Sequence, residues 1–284
     1  MAEAASDNGA ICLDLLRDID RDRYLACLLS PAEKRPALAA LYAFSAELAR
    51  IRDLVREPLP GEIRLQYWRD LLADQAHGST EANPVAAGLM RAIDTYRLPV
   101  APLQAMVEAR LFDLYDDPME TRSMLEGYAG ETASALIQLA GLVLDPVEAA
   151  RFSDAAGHAG IAQSVAGLLL MMPLHRRRGQ VYLPLELLAA VGLDRDGFLA
   201  GEDRARIAAA VEAFAGLGRE HLERARAAGR LPASIVPAYL PAALAAPVLD
   251  RAARLGSRII EEDLRPAQWR RQWRMMKATA LRRV

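Results

Sequence analysis

Side chains able to do chemistry gather in residues 163–184, QSVAGLLLMMPLHRRRGQVYLP, where an uncharged apolar run gives way to His175, Arg176, Arg177 and Arg178. Guanidinium groups beside an apolar segment suit an anionic ligand, because each planar fork binds two oxygens at once. A solvated arginine-rich loop fits the same residues equally well. Pro173 is expected to end the helix formed by the apolar run. That leaves residues 175–179 as a basic loop before Val181, Tyr182 and Leu183 return to the interior. Elsewhere the chemistry is sparse. His77, His158, His175 and His221 lack the spacing of zinc ligands, and no serine occupies a nucleophile elbow. Gly216 and Gly218 fall inside a helical stretch and make no phosphate-cradling loop, and the pair Asp116 and Asp117 reads as a helix cap.

The elements that must position these residues are helices. Caps with proline and a following glutamate recur at Ser30-Pro31-Ala32-Glu33, Asp117-Pro118-Met119-Glu120 and Asp145-Pro146-Val147-Glu148, with Asn83-Pro84 a weaker relative. Apolar residues then follow at three- and four-residue spacing, as in Leu38, Leu41, Tyr42, Phe44, Leu48 and Ile51. Helices are expected near residues 31–56, 61–75, 84–96, 102–115, 119–144, 146–172 and 203–228, with a proline-broken set from 232 onward. Only residues 180–183 alternate like a strand, too few to found a sheet. Residues 1–9 read as a mobile lead and residues 10–284 as one all-α domain, with the alanine- and glycine-rich helix after 155 at its centre.

Composition narrows the function classes. The 284 residues are 52% hydrophobic and 25% charged with a formal net charge of -2, so no global basic field points to nucleic acid. Cys12 and Cys27 are the only cysteines, which fits a reducing, cytoplasmic setting and excludes a disulfide scaffold. No signal pattern and no unbroken apolar run of a membrane span's length is visible in the sequence. Residues 265–284 carry seven basic side chains and no acidic one, together with Trp269, Trp273, Met276 and Leu281 at helical spacing. Such a tail fits peripheral attachment to an anionic membrane surface as well as a docked helix with a solvated basic face.

Residues 24–53 (YLACLLSPAEKRPALAALYAFSAELARIRD), 64–70 (RLQYWRD) and 178–184 (RGQVYLP), with Tyr128 between them, resemble the squalene and phytoene synthase family. The resemblance implies an isoprenoid-synthase-like helical bundle around a central cavity, where two aspartate-rich motifs hold magnesium against allylic diphosphates. Here the first motif falls on Ala49, Arg50, Ile51, Arg52 and Asp53, and the second runs from Met171 to His175. Among the four metal-binding positions, Ala49, Met171 and His175 replace aspartate and Asp53 alone keeps its carboxylate. Ala46, Gly167 and Leu170 also stand where the family carries arginine, asparagine and arginine. Thioether and neutral imidazole are poor magnesium ligands, so head-to-head condensation is not expected and no metal or catalytic residue is assigned.

Within the family the chain looks most like the degenerate branch of respiratory complex I assembly factor 6, through GIAQSVAGLLLMMP and VYLPLELL. That resemblance implies a non-catalytic assembly factor with NADH dehydrogenase subunits or assembly intermediates as partners. A divergent prenyl transferase using magnesium, and a carrier of an isoprenoid lipid, quinone or diphosphate, stay open beside it. The cavity or ligand-binding candidates are Tyr42, Arg50, Asp53, Tyr128, Gln163, His175, Arg176, Arg177, Arg178 and Tyr182.

Overall fold

A computed structural model describes residues 2–75, 80–115 and 117–284, the side chains of 2–7 excepted. His77 and Asp116 lie outside the described residues. The chain folds through helices α1 (Ala2–Ile19), α2 (Arg21–Leu28), α3 (Arg35–Leu54), α4 (Pro58–Leu72), α5 (Pro84–Tyr96), α6 (Val100–Ala109), α7 (Arg122–Ala129) and α8 (Ala135–Leu144). It continues through α9 (Pro146–Arg151), α10 (Ser153–Arg177), α11 (Leu185–Ala190), α12 (Arg195–Ala200), α13 (Arg204–Ala227), α14 (Val236–Tyr239), α15 (Ala245–Leu255) and α16 (Gln268–Leu281). No strand occurs among the described residues, and 180–183 is irregular, with a bend at Leu183.

Two of the expected caps form as read. Asp145 accepts from the Glu148 amide and Asn83 from those of Val85 and Ala86, each with proline in the first turn. The other two do not. Ser30 turns its hydroxyl back to the Ala26 carbonyl at 2.8 Å, so a short 3-10 turn (Ala32–Lys34) precedes α3, whose start moves to Arg35. Residues 117–120 stay irregular and Thr121 caps α7 instead, its hydroxyl accepting from the Met124 amide. Residues 2–9 of the expected lead belong to α1, where Gly9 is buried against Pro36.

The larger correction concerns Pro173, which lies inside α10 rather than at its end. Proline removes only its own hydrogen bond to the Leu169 carbonyl, and tertiary contacts hold the turns beyond it. Arg176 donates to the carbonyls of Leu199 and Ala200 at 2.9 Å each, and Met172 is buried. The stop comes at Gly179, whose φ of +72° lets the Gln180 amide reach back to the His175 carbonyl at 2.9 Å. The expected basic loop is therefore the last helical turn, and its cationic side chains complement the carbonyl end of the helix dipole.

α10 is the axle of the bundle. Ala155, Ala156 and Ala159 join the core built on α1, α3, α5 and α8, while Ala162, Val165 and Leu169 join the core shared with α13 and α15. Small residues permit this: a Cβ on Gly160 would sit 2.4 Å from the backbone of Ser134, in a π-helical turn (Gly130–Ser134) before α8. By length and composition α10 could cross a membrane, its best window averaging 1.3 in mean hydropathy, but it packs between α8, α13 and α15 as a core helix.

Candidate functional site

The candidate residues fall into three places rather than one. At the first, the C-terminal ends of α3 and α10 meet, and Arg178 donates to the Asp53 carboxylate at 2.7 Å across 125 positions of sequence. Ala49 and Arg50 are exposed on the neighbouring turn of α3. His175 stacks on Tyr182 with ring centroids 4.6 Å apart. Burial pushes its pKa down to about 4, with Asp113 opposing and Arg178 reinforcing the shift, so the imidazole is neutral at neutral pH. This donor set does not fit magnesium. Its one carboxylate is already neutralised by a guanidinium, the other positions offer methyl, thioether and imidazole, and no cluster of three metal-binding side chains exists among the described residues. The three arginines do not converge: Arg176 is bound to carbonyls, Arg177 faces solvent and Arg178 is paired.

At the second place, inside the bundle beneath this mouth, Asp113 is 7% exposed and gathers donors from three segments. Tyr128 and Tyr182 each donate to it at 2.9 Å, Arg110 pairs with it at 2.9 Å, and Gln180 reaches its carbonyl. Burial works against the Arg110 charge, but Tyr128 and Asp113 more than offset it. Both phenols are driven upward in pKa, first by burial, so they act as fixed hydrogen-bond donors and not as acids near neutrality. Phe112 and the rings of Tyr128, Tyr182 and His175 fill the space around the pair. The sequence reading passed over Asp113; an acidic residue set in LFDL, among apolar neighbours, was its signal.

The third place is a cleft of about 1070 Å³ between α10, α15, α16 and the start of α2. Ala166, Gly167 and Leu170 of α10 form its floor with Ala245 and Val248 of α15. Gln163 lines it, and the Gln163 Oε1 and Arg23 Nε atoms are buried there without a hydrogen-bonding partner. Tyr42 does not line the cleft. It is 2% exposed, one layer behind, with the Arg23 guanidinium 5.9 Å from its ring centroid and its own hydroxyl unpartnered.

One cluster has no counterpart in the sequence reading. His158 of α10 and His221 of α13 meet Nδ1 to Nδ1 at 2.9 Å, and His221 Nε2 lies 3.0 Å from Glu126 of α7. Histidines 63 positions apart carry no spacing signal, because the packing of α10 on α13 alone brings them together.

The chain is similar to known proteins along most of its length. The family model described as squalene/phytoene synthase matches residues 16–277. The NADH dehydrogenase (ubiquinone) complex I assembly factor 6 of Rattus norvegicus is 34% identical over 235 residues, 82% of this chain and 70% of that protein. A squalene synthase structure from Alicyclobacillus acidocaldarius superposes with a TM-score of 0.73 at 19% identity, covering 89% of this chain and 95% of the other. A dehydrosqualene synthase structure does so with a TM-score of 0.77 at 18% identity, covering 98% and 97%. At such identity these structures establish the isoprenoid-synthase fold alone. With the family model spanning nearly the whole described bundle, the chain belongs to the squalene/phytoene synthase family.

Proposed function

We propose that the chain is a non-catalytic assembly factor for a respiratory NADH dehydrogenase, acting on subunits or assembly intermediates of that complex. The observation that carries the loss of chemistry is the Asp53–Arg178 pair, which ties up the one carboxylate left in the paired motifs. Similarity to complex I assembly factor 6 supplies the role. An arginine that holds an anion equally in ground and transition states gives affinity without rate, so binding outlives turnover when metal ligands are lost. Disruption of the gene followed by native-gel activity staining tests the role: loss of assembled NADH dehydrogenase is expected, and a normal amount of active complex overturns it. In a product assay with labelled farnesyl and geranylgeranyl diphosphates and magnesium, no multiple turnover is expected. Chelator-sensitive turnover would restore the prenyl transferase reading.

A second reading has its own observation. The cleft, with its apolar floor and unpartnered Gln163 and Arg23 atoms, favours retention of a small amphiphile such as an isoprenoid lipid, a quinone or a diphosphate. The protein works at the cytoplasmic face of the membrane in either reading, held peripherally through residues 265–284.

A further inference from the structure

Charge is segregated in this molecule. Ten of its 35 basic residues line the cleft against only two of its 37 acidic ones, in a chain of formal net charge -2. Both acidic residues are already paired, Asp20 with Arg23 at 2.5 Å and Asp22 with Arg271. The rim thus keeps a large positive surplus while the remaining surface is acidic, so a negatively charged surface would attract one side of the protein and repel the other.

The same side carries α16. Met275 and Ala278 bury one face of this helix, Arg274 binds the Ala243 carbonyl at 3.1 Å, and Arg271 is held by Asp22. The opposite face shows Trp269, Trp273 and Met276, one helical stripe that is 64%, 66% and 54% exposed. Arg265, Arg270, Lys277, Arg282 and Arg283 flank it and form no ion pair among the described residues. Tryptophans on an exposed stripe with cations beside it are the side chains that settle at the headgroup level of a bilayer. Trp269, Trp273 and Lys277 line the cleft as well, so its mouth opens at the level where such a helix would lie.

We infer that the cleft is a binding site for one anionic phospholipid, drawn from a membrane on which the exposed face of α16 rests. The phosphate would meet the rim, with Arg226, Arg251 and Arg274 within the cleft, and an acyl chain would run along Ala166, Gly167 and Leu170. The size suits the assignment, since small-ligand pockets commonly enclose roughly 300–1,000 Å³. This site stands apart from the assembly role: lipid binding can hold while the respiratory complex is normal, and the converse.

The test is flotation of the full chain with vesicles of phosphatidylcholine alone and of phosphatidylcholine mixed with phosphatidylglycerol, followed by native mass spectrometry of the protein recovered from them. Flotation only with the anionic vesicles, reversed by salt, and one phospholipid per recovered chain are expected. Arg270→Glu with Lys277→Glu should weaken vesicle partition by about twentyfold or more, each basic residue near such a surface contributing about a factor of five. Gly167→Leu separates the cleft from the helix. A Cβ at Gly167 meets nothing within 4 Å, so the variant should fold, float as before and return without lipid. Equal binding to neutral vesicles, recovery of lipid-free protein, or undiminished lipid on a folded Gly167→Leu variant would overturn the assignment. So would displacement of the phospholipid by farnesyl diphosphate, which would make the cleft a prenyl diphosphate site.

Discussion

His175 offers the sharpest quantitative test of how the end of α10 is packed. Its imidazole is packed on Tyr182 and titrates in the folded protein at about 4, against 6.5 when exposed, chiefly because burial disfavours the cation. Arg178 adds to this, while Asp113 and Asp53 oppose it. Above the unfolded value neither state is protonated and the residue gives no pH dependence. Between 6.5 and 4 the unfolded chain takes a proton that the folded chain refuses, so stability falls as pH drops through that window. At about 1.4 kcal/mol per pKa unit, the loss attributable to His175 approaches roughly 3 kcal/mol once both states titrate. His175→Asn abolishes this contribution and leaves the other titrating groups in place. Urea unfolding of both proteins at about pH 7.5 and about pH 4.5 should show the parent losing roughly 2.5 kcal/mol more than the variant. A histidine proton resonance that titrates near 4 and vanishes in the variant would identify the group. Parallel pH dependence of the two proteins would refute the burial of a neutral imidazole against Tyr182.

Two further outcomes follow from the core. Gly160→Ala places a methyl 2.4 Å from the Ser134 backbone, so either α10 or the π-helical turn must shift, at a cost of about 1–3 kcal/mol seen as a lowered thermal midpoint. Asp113→Asn leaves the Arg110 cation buried without its counter-ion and should cost about 3–5 kcal/mol in urea unfolding, whereas Arg110→Met with Asp113→Leu should recover much of the loss.

The fold was legible because helical periodicity and proline caps are local. Asn83-Pro84 and Asp145-Pro146 act as caps in the structure because their side chains need only the next few amides. Ser30 failed as a cap for the same reason in reverse: the Ala26 carbonyl lay within its reach and took the hydroxyl first. Pro173 misled because a proline's local cost is one hydrogen bond, and the contacts that outweigh it come from Leu199, Ala200 and Asp53, 23 residues or more away in sequence. Residue types alone marked the apolar run that ends in His175, Arg176, Arg177 and Arg178, and resemblance marked Asp53. Spacing could not show that Asp53 meets Arg178, that Tyr128 and Tyr182 share Asp113, or that His158 meets His221, since each contact is made by helix packing.

The pair between Asp53 and Arg178 ties the ends of two central helices together. Arg178 gives Asp53 a counter-ion from the helix opposite and so joins α3 to α10. With both side chains partly solvent-exposed, the pair contributes at most about 1 kcal/mol, so it closes the gap without locking it. The rings of Phe112, Tyr128 and Tyr182 and the Arg110–Asp113 pair then fill the interior below. A cleft lies along α10 at Gly167 and Leu170, where the surrounding charge is positive. The interior is thereby divided into a packed half around the Arg110–Asp113 pair and an open, cationic half. The open half, ringed by cations, attracts negative charge, while the one motif carboxylate stays engaged in an ion pair.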